Sequence, residues 1–126
     1  MYELKTVTVH GKGKQQKKDV LVAEVSDERF AIIGAFLMTD APLMNYAVLK
    51  RIDAVLTGEE TESTFSGNRC SVTIKPDVSE LEDLFAGMGD DVPAYETCEI
   101  ETERLKDVIL KWKKDKEAFA KSKLDF

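Results

Sequence analysis

The sequence predicts one α+β domain in which a mostly antiparallel sheet is covered by helices on one face. β-rich runs follow one another at the start of the chain without a helix between them, which favours antiparallel pairing. Two amphipathic helical patterns follow, the second near the C-terminus. The 126 residues, of which 43% are apolar and 33% charged, have the length and composition of a single folded domain spanning residues 1–126.

The first third of the chain predicts three strands. Residues 2–9 are rich in Val and Thr, and a basic, glycine-containing turn at 11–14 joins them to a second β-rich run at 19–26. These two runs predict a hairpin. The run 30–38 (FAIIGAFLM) is apolar on both faces, which predicts a third strand in the centre of the sheet.

A helix is predicted after the third strand. Asp40 has the position of an N-terminal cap, Pro42 follows in the first turn, and Gly58 is a natural stop. One helical face then carries the apolar residues Met44, Val48, Ile52, Val55 and Leu56.

The next predicted strand has Cys70, Val72 and Ile74 on one side, an alternation typical of a sheet with one solvated face. Ser79 and Glu82 have the spacing of a capping box, which predicts a short helix through residue 85.

Residues 87–93, rich in Gly, Asp and Pro, predict a loop. Cys98 and Ile100 alternate with acidic residues in a last strand. From Thr102 a final helix follows, with Trp112 on its apolar stripe, where we expect it to be a core residue. The predicted order is therefore βββ-α-β-(α)-β-α, with about five strands.

The sequence shows no pattern typical of a membrane-spanning segment or a signal peptide. The longest apolar stretch is far too short to span a bilayer and no signal-peptide run opens the sequence, so we expect a cytoplasmic protein without a membrane contact. Cys70 and Cys98 lie in alternating apolar patterns, which predicts buried thiols in a reducing compartment. A disulfide between them stays open, because the sequence does not give their separation.

No residue pattern predicts catalysis or a cofactor. His10 is the single histidine, and with two separated cysteines it is too sparse for a zinc site. The turn at 11–14 lacks the spacing and the following Ser or Thr of a phosphate-binding loop. We therefore expect no catalytic residue, no metal and no cofactor. A small enzyme with an unrecognised site remains the third interpretation.

Charge is distributed unevenly along the chain. Residues 53–103 carry fourteen acidic and two basic side chains, whereas both ends are basic. Loop carboxylates are free to face a partner, which makes a set of them candidate contacts for a basic protein: Glu59, Glu60, Glu62, Asp90 and Asp91. The alternative is a purely solubilising charge run. Nucleic acid is disfavoured as a partner, since both basic ends would have to converge.

Residues 69–85 (RCSVTIKPDVSELEDLF) and 98–119 (CEIETERLKDVILKWKKDKEAF) resemble the C-terminal half of small bacterial immunity proteins from polymorphic and contact-dependent growth inhibition toxin systems. The likeness rests on a strand, a short acidic helix, a strand and a Trp-bearing helix. It implies a cytosolic protein that binds and neutralises one cognate toxin domain, often a nuclease. It assigns no binding residue. The alternative function is an interaction module that forms a homodimer through a strand edge or the last helix.

Overall fold

The structure, a computed structural model, describes residues 1–10, 17–86 and 94–124. It confirms the α+β class. The elements in chain order are β1 (Glu3–His10), β2 (Lys17–Glu24), a 3-10 turn (Glu28–Phe30), α1 (Ala31–Thr39), α2 (Leu43–Leu56), β3 (Ser63–Ser66), β4 (Cys70–Ile74), β5 (Val78–Asp83), β6 (Cys98–Glu101) and α3 (Thr102–Leu124).

The strands form two sheets. β1 and β2 pair as an antiparallel hairpin, as predicted, and β3 to β6 form a four-stranded antiparallel sheet in sequence order. The expectation of one layer with about five strands is therefore corrected to six described strands in two sheets. The turn that joins β1 to β2 lies outside the described residues.

The predicted third strand is wrong, because residues 31–39 form the helix α1. A short run that is apolar on all sides fits a buried helix as well as a central strand. Ile32, Ile33, Phe36 and Leu37 are all buried. Gly34 lets α1 approach β2 closely, since a Cβ there would lie 3.1 Å from the carbonyl oxygen of Ala23. The contacts of these buried side chains with the core therefore decide that this segment is a helix.

The helix α2 matches the prediction in its body and differs at its start. Val48, Ile52 and Val55 are buried, and Gly58 ends the helix with a φ of 85°. Asp40 does not cap it, because its carboxylate accepts hydrogen bonds from the β3–β4 turn instead. Met44 is 83% exposed rather than part of the apolar face. It opens a left-handed stretch, residues 44–46, with φ between 53° and 60°.

The short helix predicted from Ser79 to residue 85 is also wrong. This segment contains the strand β5, paired to β4 on one side and β6 on the other. Its burial alternates, with Ser79, Leu81 and Asp83 inside. The Ser79 hydroxyl lies 2.8 Å from the hydroxyl of Thr102 and does not cap a helix.

The last strand and the last helix are confirmed. Cys98 and Ile100 point into the core, and Trp112 of α3 is buried with Tyr2 edge-on against it at 5.8 Å between ring centroids. Both cysteines are free and buried, which excludes the disulfide alternative. Among the described helices, none is long and apolar enough to span a membrane.

The three helices cover one face of the four-stranded sheet, which we call the inner face. Leu21 and Ala23 of the hairpin complete the same core. The opposite face, which we call the outer face, has no described element packed on it, and its side chains alternate in sequence with the buried ones. Among the described residues, this side of the sheet is therefore open to solvent.

Candidate functional site

The outer face is polar and dominated by carboxylates. Its side chains, strand by strand, are Thr64 and Ser66, then Ser71 and Thr73, then Val78, Glu80 and Glu82, then Glu99 and Glu101, with Lys75 and Glu62 at one end. Polar residues on β3 and β4 are ordinary for a solvated sheet face. The concentration of four glutamates on β5 and β6 is the feature that needs an explanation.

The four glutamates are neighbours by strand register. Glu80 lies directly opposite Glu99. Glu82 lies two residues beyond Glu80 on β5, and Glu101, opposite Val78, lies two residues beyond Glu99 in the other direction. Neighbouring strands are about 4.8 Å apart, so the carboxylates of Glu80 and Glu99 crowd each other. Like charges directly opposite each other destabilise a sheet. A hydrogen bond with Glu82, partial burial and repulsion from Glu82 together raise the pKa of Glu80.

Two basic side chains lie near the carboxylates of this face. Arg104 of α3 lines a depression together with Glu99 and Glu101. The ammonium of Lys75 lies 3.8 Å from a carboxylate oxygen of Glu62. Both side chains are more than half exposed, so this pair is weak and screened by salt. Lys75 also lines a depression of about 150 Å³ together with Glu80 and Glu99, and its positive charge partly opposes the rise in the pKa of Glu80.

The residues predicted as partner contacts divide into three groups. Glu62 borders the outer face through its contact with Lys75. Glu59 and Glu60 are exposed in the connection between α2 and β3. Asp90 and Asp91 lie outside the described residues. The structure thus connects one of the five to the acidic sheet face, and the partner-binding role of all five stays a prediction.

The prediction of a short helix from Ser79 through residue 85 hides the outer-face carboxylates of β5. The sequence did contain the correct signal, since Ser79, Leu81 and Asp83 alternate with Glu80 and Glu82 at a period of two. The alternation of Cys98 and Ile100 with Glu99 and Glu101 repeats it on the next strand. Two adjacent strands with this pattern predict an acidic sheet face.

Two other carboxylates have structural roles. Asp40 is completely buried, and its oxygens accept the backbone N–H groups of Asn68 at 2.7 Å, Arg69 at 3.1 Å and Cys70 at 2.6 Å. Asp83 accepts two hydrogen bonds from the guanidinium of Arg69, both at 2.9 Å. Hydrogen bonds and paired charge satisfy these buried groups, so they serve the fold.

The side chains considered for catalysis are poorly placed for it. His10 is exposed at the end of β1, opposite Lys17 in the hairpin register. Burial and the nearby Asp40 carboxylate raise the pKa of Cys70 to about 12, and burial also raises the pKa of Cys98. A thiol with such a pKa is a weak nucleophile at neutral pH. Within the described ranges, no group of three His, Cys, Asp or Glu side chains could hold a metal ion.

The basic segments partly converge. Lys18 of β2 and Lys116 of α3 line one open groove of about 800 Å³, which also contains Asp19. Other lysines of α3 make contacts within the chain: Lys111 pairs with Asp115 at 2.9 Å, and Lys113 lies over the ring of Tyr46. Lys12 and Lys14 lie outside the described residues. Because the carboxylate of Asp19 lies in the same lining as the two lysines, the groove is ill suited to a phosphate backbone.

Comparison with known proteins identifies the class. A curated immunity protein from Bacillus cereus is 31% identical to this chain over 98 residues, which cover 76% of this chain and 79% of the relative. The chain belongs to this family of immunity proteins. The resemblance to immunity proteins is thereby confirmed. No family model matches the chain, and no solved structure matches it.

Proposed function

We propose that this chain is a non-catalytic immunity protein that binds a cognate toxin domain in the bacterial cytoplasm and neutralises it through the outer face. The observation that carries the proposal is the crowding of like charges on an uncovered sheet face: Glu80 opposite Glu99, with Glu82 and Glu101 beside them. Membership in the immunity protein family supplies the kind of partner.

Crowded carboxylates make the free protein less stable than a neutral face would. A partner that places Lys or Arg side chains between the strands would remove this repulsion on binding. Complementary charge of this kind speeds encounter and rejects partners of the wrong sign. The expected partner is therefore a toxin domain with a basic surface, such as the substrate groove of a nuclease, which a carboxylate array can occupy.

The proposal can be tested by capture followed by a growth assay. The tagged chain is used as bait in lysate of its native host and the bound protein is released with a salt step. The captured protein is then expressed in cells that lack both partners. The proposal predicts growth arrest by the captured protein alone and normal growth when this chain is co-expressed. A captured protein that is harmless, or one whose toxicity this chain does not relieve, would contradict it.

Two variants of matched charge localise the effect. The outer-face variant carries Glu→Gln substitutions at positions 80, 82, 99 and 101. The remote variant carries Glu3→Gln, Glu28→Gln, Asp107→Asn and Glu117→Gln, all at exposed positions on other elements. Each changes the formal net charge from −6 to −2. The outer-face variant should protect cells poorly, and the remote variant should protect them like the wild type.

The predicted loop contacts need a separate variant. Glu59→Gln with Glu60→Gln removes two exposed charges in the connection between α2 and β3. Loss of protection in this double variant, with the outer-face variant still protective, would move the interface to the loops predicted from the sequence. The same comparison applies to Asp90→Asn with Asp91→Asn.

A second candidate function is a self-associating module, and the hairpin favours it. All eight residues of β1 are exposed, among them Leu4, Val7 and Val9, and β1 pairs with β2 on one side only in the described sheet. A long exposed edge strand can pair with a second copy. Sedimentation over a hundredfold concentration range tests this: a dimer supports it, and a monomer at every concentration removes it.

A further inference from the structure

Next to the outer face, Arg69 is held between two aromatic rings. Its guanidinium carbon lies 4.5 Å from the ring centre of Phe85 and 5.2 Å from that of Tyr95. The same guanidinium donates two hydrogen bonds to the carboxylate of Asp83. A planar cation that is both stacked and paired in this way has little freedom to move.

Asp83 fixes the backbone on both sides of the β5–β6 connection. Its carboxylate accepts the N–H of Phe85 at 2.9 Å and the N–H of Tyr95 at 2.8 Å. The Asp83 side chain is fully buried, and although burial alone would raise its pKa, the hydrogen bonds from Arg69, Tyr95 and Phe85 lower it. The carboxylate therefore stays charged and keeps residues 85 and 95 together.

Two large apolar side chains of this cluster face solvent. Leu84 is 40% exposed and Tyr95 is 39% exposed. The N–H of Leu84 donates to the carbonyl of Arg69 at 2.8 Å, which extends the pairing of β4 with β5 by one residue beyond Cys70 and Asp83. Leu84 therefore follows Glu82 at the alternation of the outer face, and the apolar cluster continues the acidic surface.

We infer that Leu84 and Tyr95, held in place by Arg69 and Asp83, form the apolar anchor of the interface whose charged part is the outer face. The occupant is the same basic toxin domain, which would place an apolar side chain flanked by Lys or Arg against this cluster. This inference rests on the proposed function. Tyr and Arg are enriched among the residues that carry binding energy in protein interfaces, and side chains fixed before binding lose little entropy on association.

The inference predicts a division of kinetic roles. Charges at the periphery mainly set the association rate, and well-packed apolar anchors mainly set the dissociation rate. Leu84→Ala and Tyr95→Ala should therefore each increase the dissociation rate by roughly tenfold or more. Their association rates should stay within about twofold of the wild type, with the same dependence on salt.

The test uses surface-immobilised toxin domain obtained by the capture described above and measures both rates at low and high salt. Leu110→Ala is the matched control, because Leu110 is 42% exposed on α3. Tyr95→Phe keeps the ring over Arg69 and should dissociate like the wild type. Thermal unfolding of each variant shows whether the fold is intact. If Tyr95→Ala loosens the cluster, Leu84→Ala still decides the question.

Unchanged dissociation in both Leu84→Ala and Tyr95→Ala, with the outer-face variant impaired, would overturn this inference and leave the proposed function intact. A dissociation rate raised equally by Leu110→Ala would overturn it as well. A captured protein that is not toxic would contradict the proposed function, and the inference that rests on it would be contradicted as well.

Discussion

The carboxylates of this protein fall into two groups that differ in their surroundings. Asp40 and Asp83 are buried, and each has backbone N–H groups as partners. The outer-face glutamates are near one another and face solvent, and Lys75 and Arg104 line depressions beside them. The first group stabilises the fold and the second opposes it. The carboxylates of this sequence thus have two different roles, and the groups that contact each carboxylate decide which role it has.

The largest change in the free energy of unfolding should come from substitution of Asp40. Asp40→Ala leaves three backbone N–H groups of the β3–β4 turn without an acceptor in a buried place. We expect the free energy of unfolding to fall by about 3 kcal/mol or more, since an unsatisfied buried polar group costs about 1–3 kcal/mol. Urea denaturation measures it. Asp40→Asn keeps one oxygen acceptor and should lose less. A loss below about 1 kcal/mol for Asp40→Ala would contradict the structural role.

A smaller loss is expected from Arg69→Met, which leaves the buried Asp83 carboxylate without its cation. We expect a destabilisation of about 2 kcal/mol at pH 7, less than for a fully buried pair, because the Arg69 side chain is 22% exposed. The pKa of Asp83 is lower in the folded state, so the contribution of the pair is complete above the unfolded pKa of about 4 and is lost as the pH falls through the folded value. The difference between variant and wild type should therefore shrink below pH 4. A difference that does not depend on pH would contradict this assignment.

Removal of a charge from the outer face should raise the free energy of unfolding instead of lowering it. The pKa of Glu80 is raised in the folded state, so its charge destabilises the fold, and this loss develops as the pH rises from the unfolded pKa through the folded one. Glu82→Gln removes the neighbour that raises it. We expect a small gain in unfolding free energy at pH 7, smaller than either loss above, and no gain near pH 3.5. Glu59→Gln, at an exposed position in the connection between α2 and β3, serves as the control variant.

Much of the fold could be predicted from local patterns. The hairpin, β4, β6 and α3 follow from alternation or from helical spacing, and Trp112 is the core residue that its stripe predicted. The helix at residues 31–39 could not be predicted, because a run that is apolar on all sides has no period that distinguishes helix from strand. Its packing against the hairpin and the four-stranded sheet decides its conformation.

The segment after Pro76 shows a different difficulty. The spacing of Ser79 and Glu82 fits a capping box, but strand pairing on both sides gives Ser79 a buried partner in Thr102. Long-range contacts therefore override a local helix signal. The same error hid the acidic face, because a helix would have distributed Glu80 and Glu82 around its axis. Of the three predicted contacts that the structure describes, Glu62 is the one that borders that face.

Whether the outer face binds the toxin is tested most directly by the association rate of the cognate toxin domain with the outer-face variant and the remote variant. Both rates are measured by stopped flow at low and at high salt. The two variants have the same net charge, so a difference between them reports position rather than total charge. If the outer face meets a basic partner, the outer-face variant should associate at least roughly tenfold more slowly at low salt, and its rate should depend weakly on salt. The remote variant should behave nearly like the wild type. Equal association rates for the two variants would contradict the claim that this face is the binding surface.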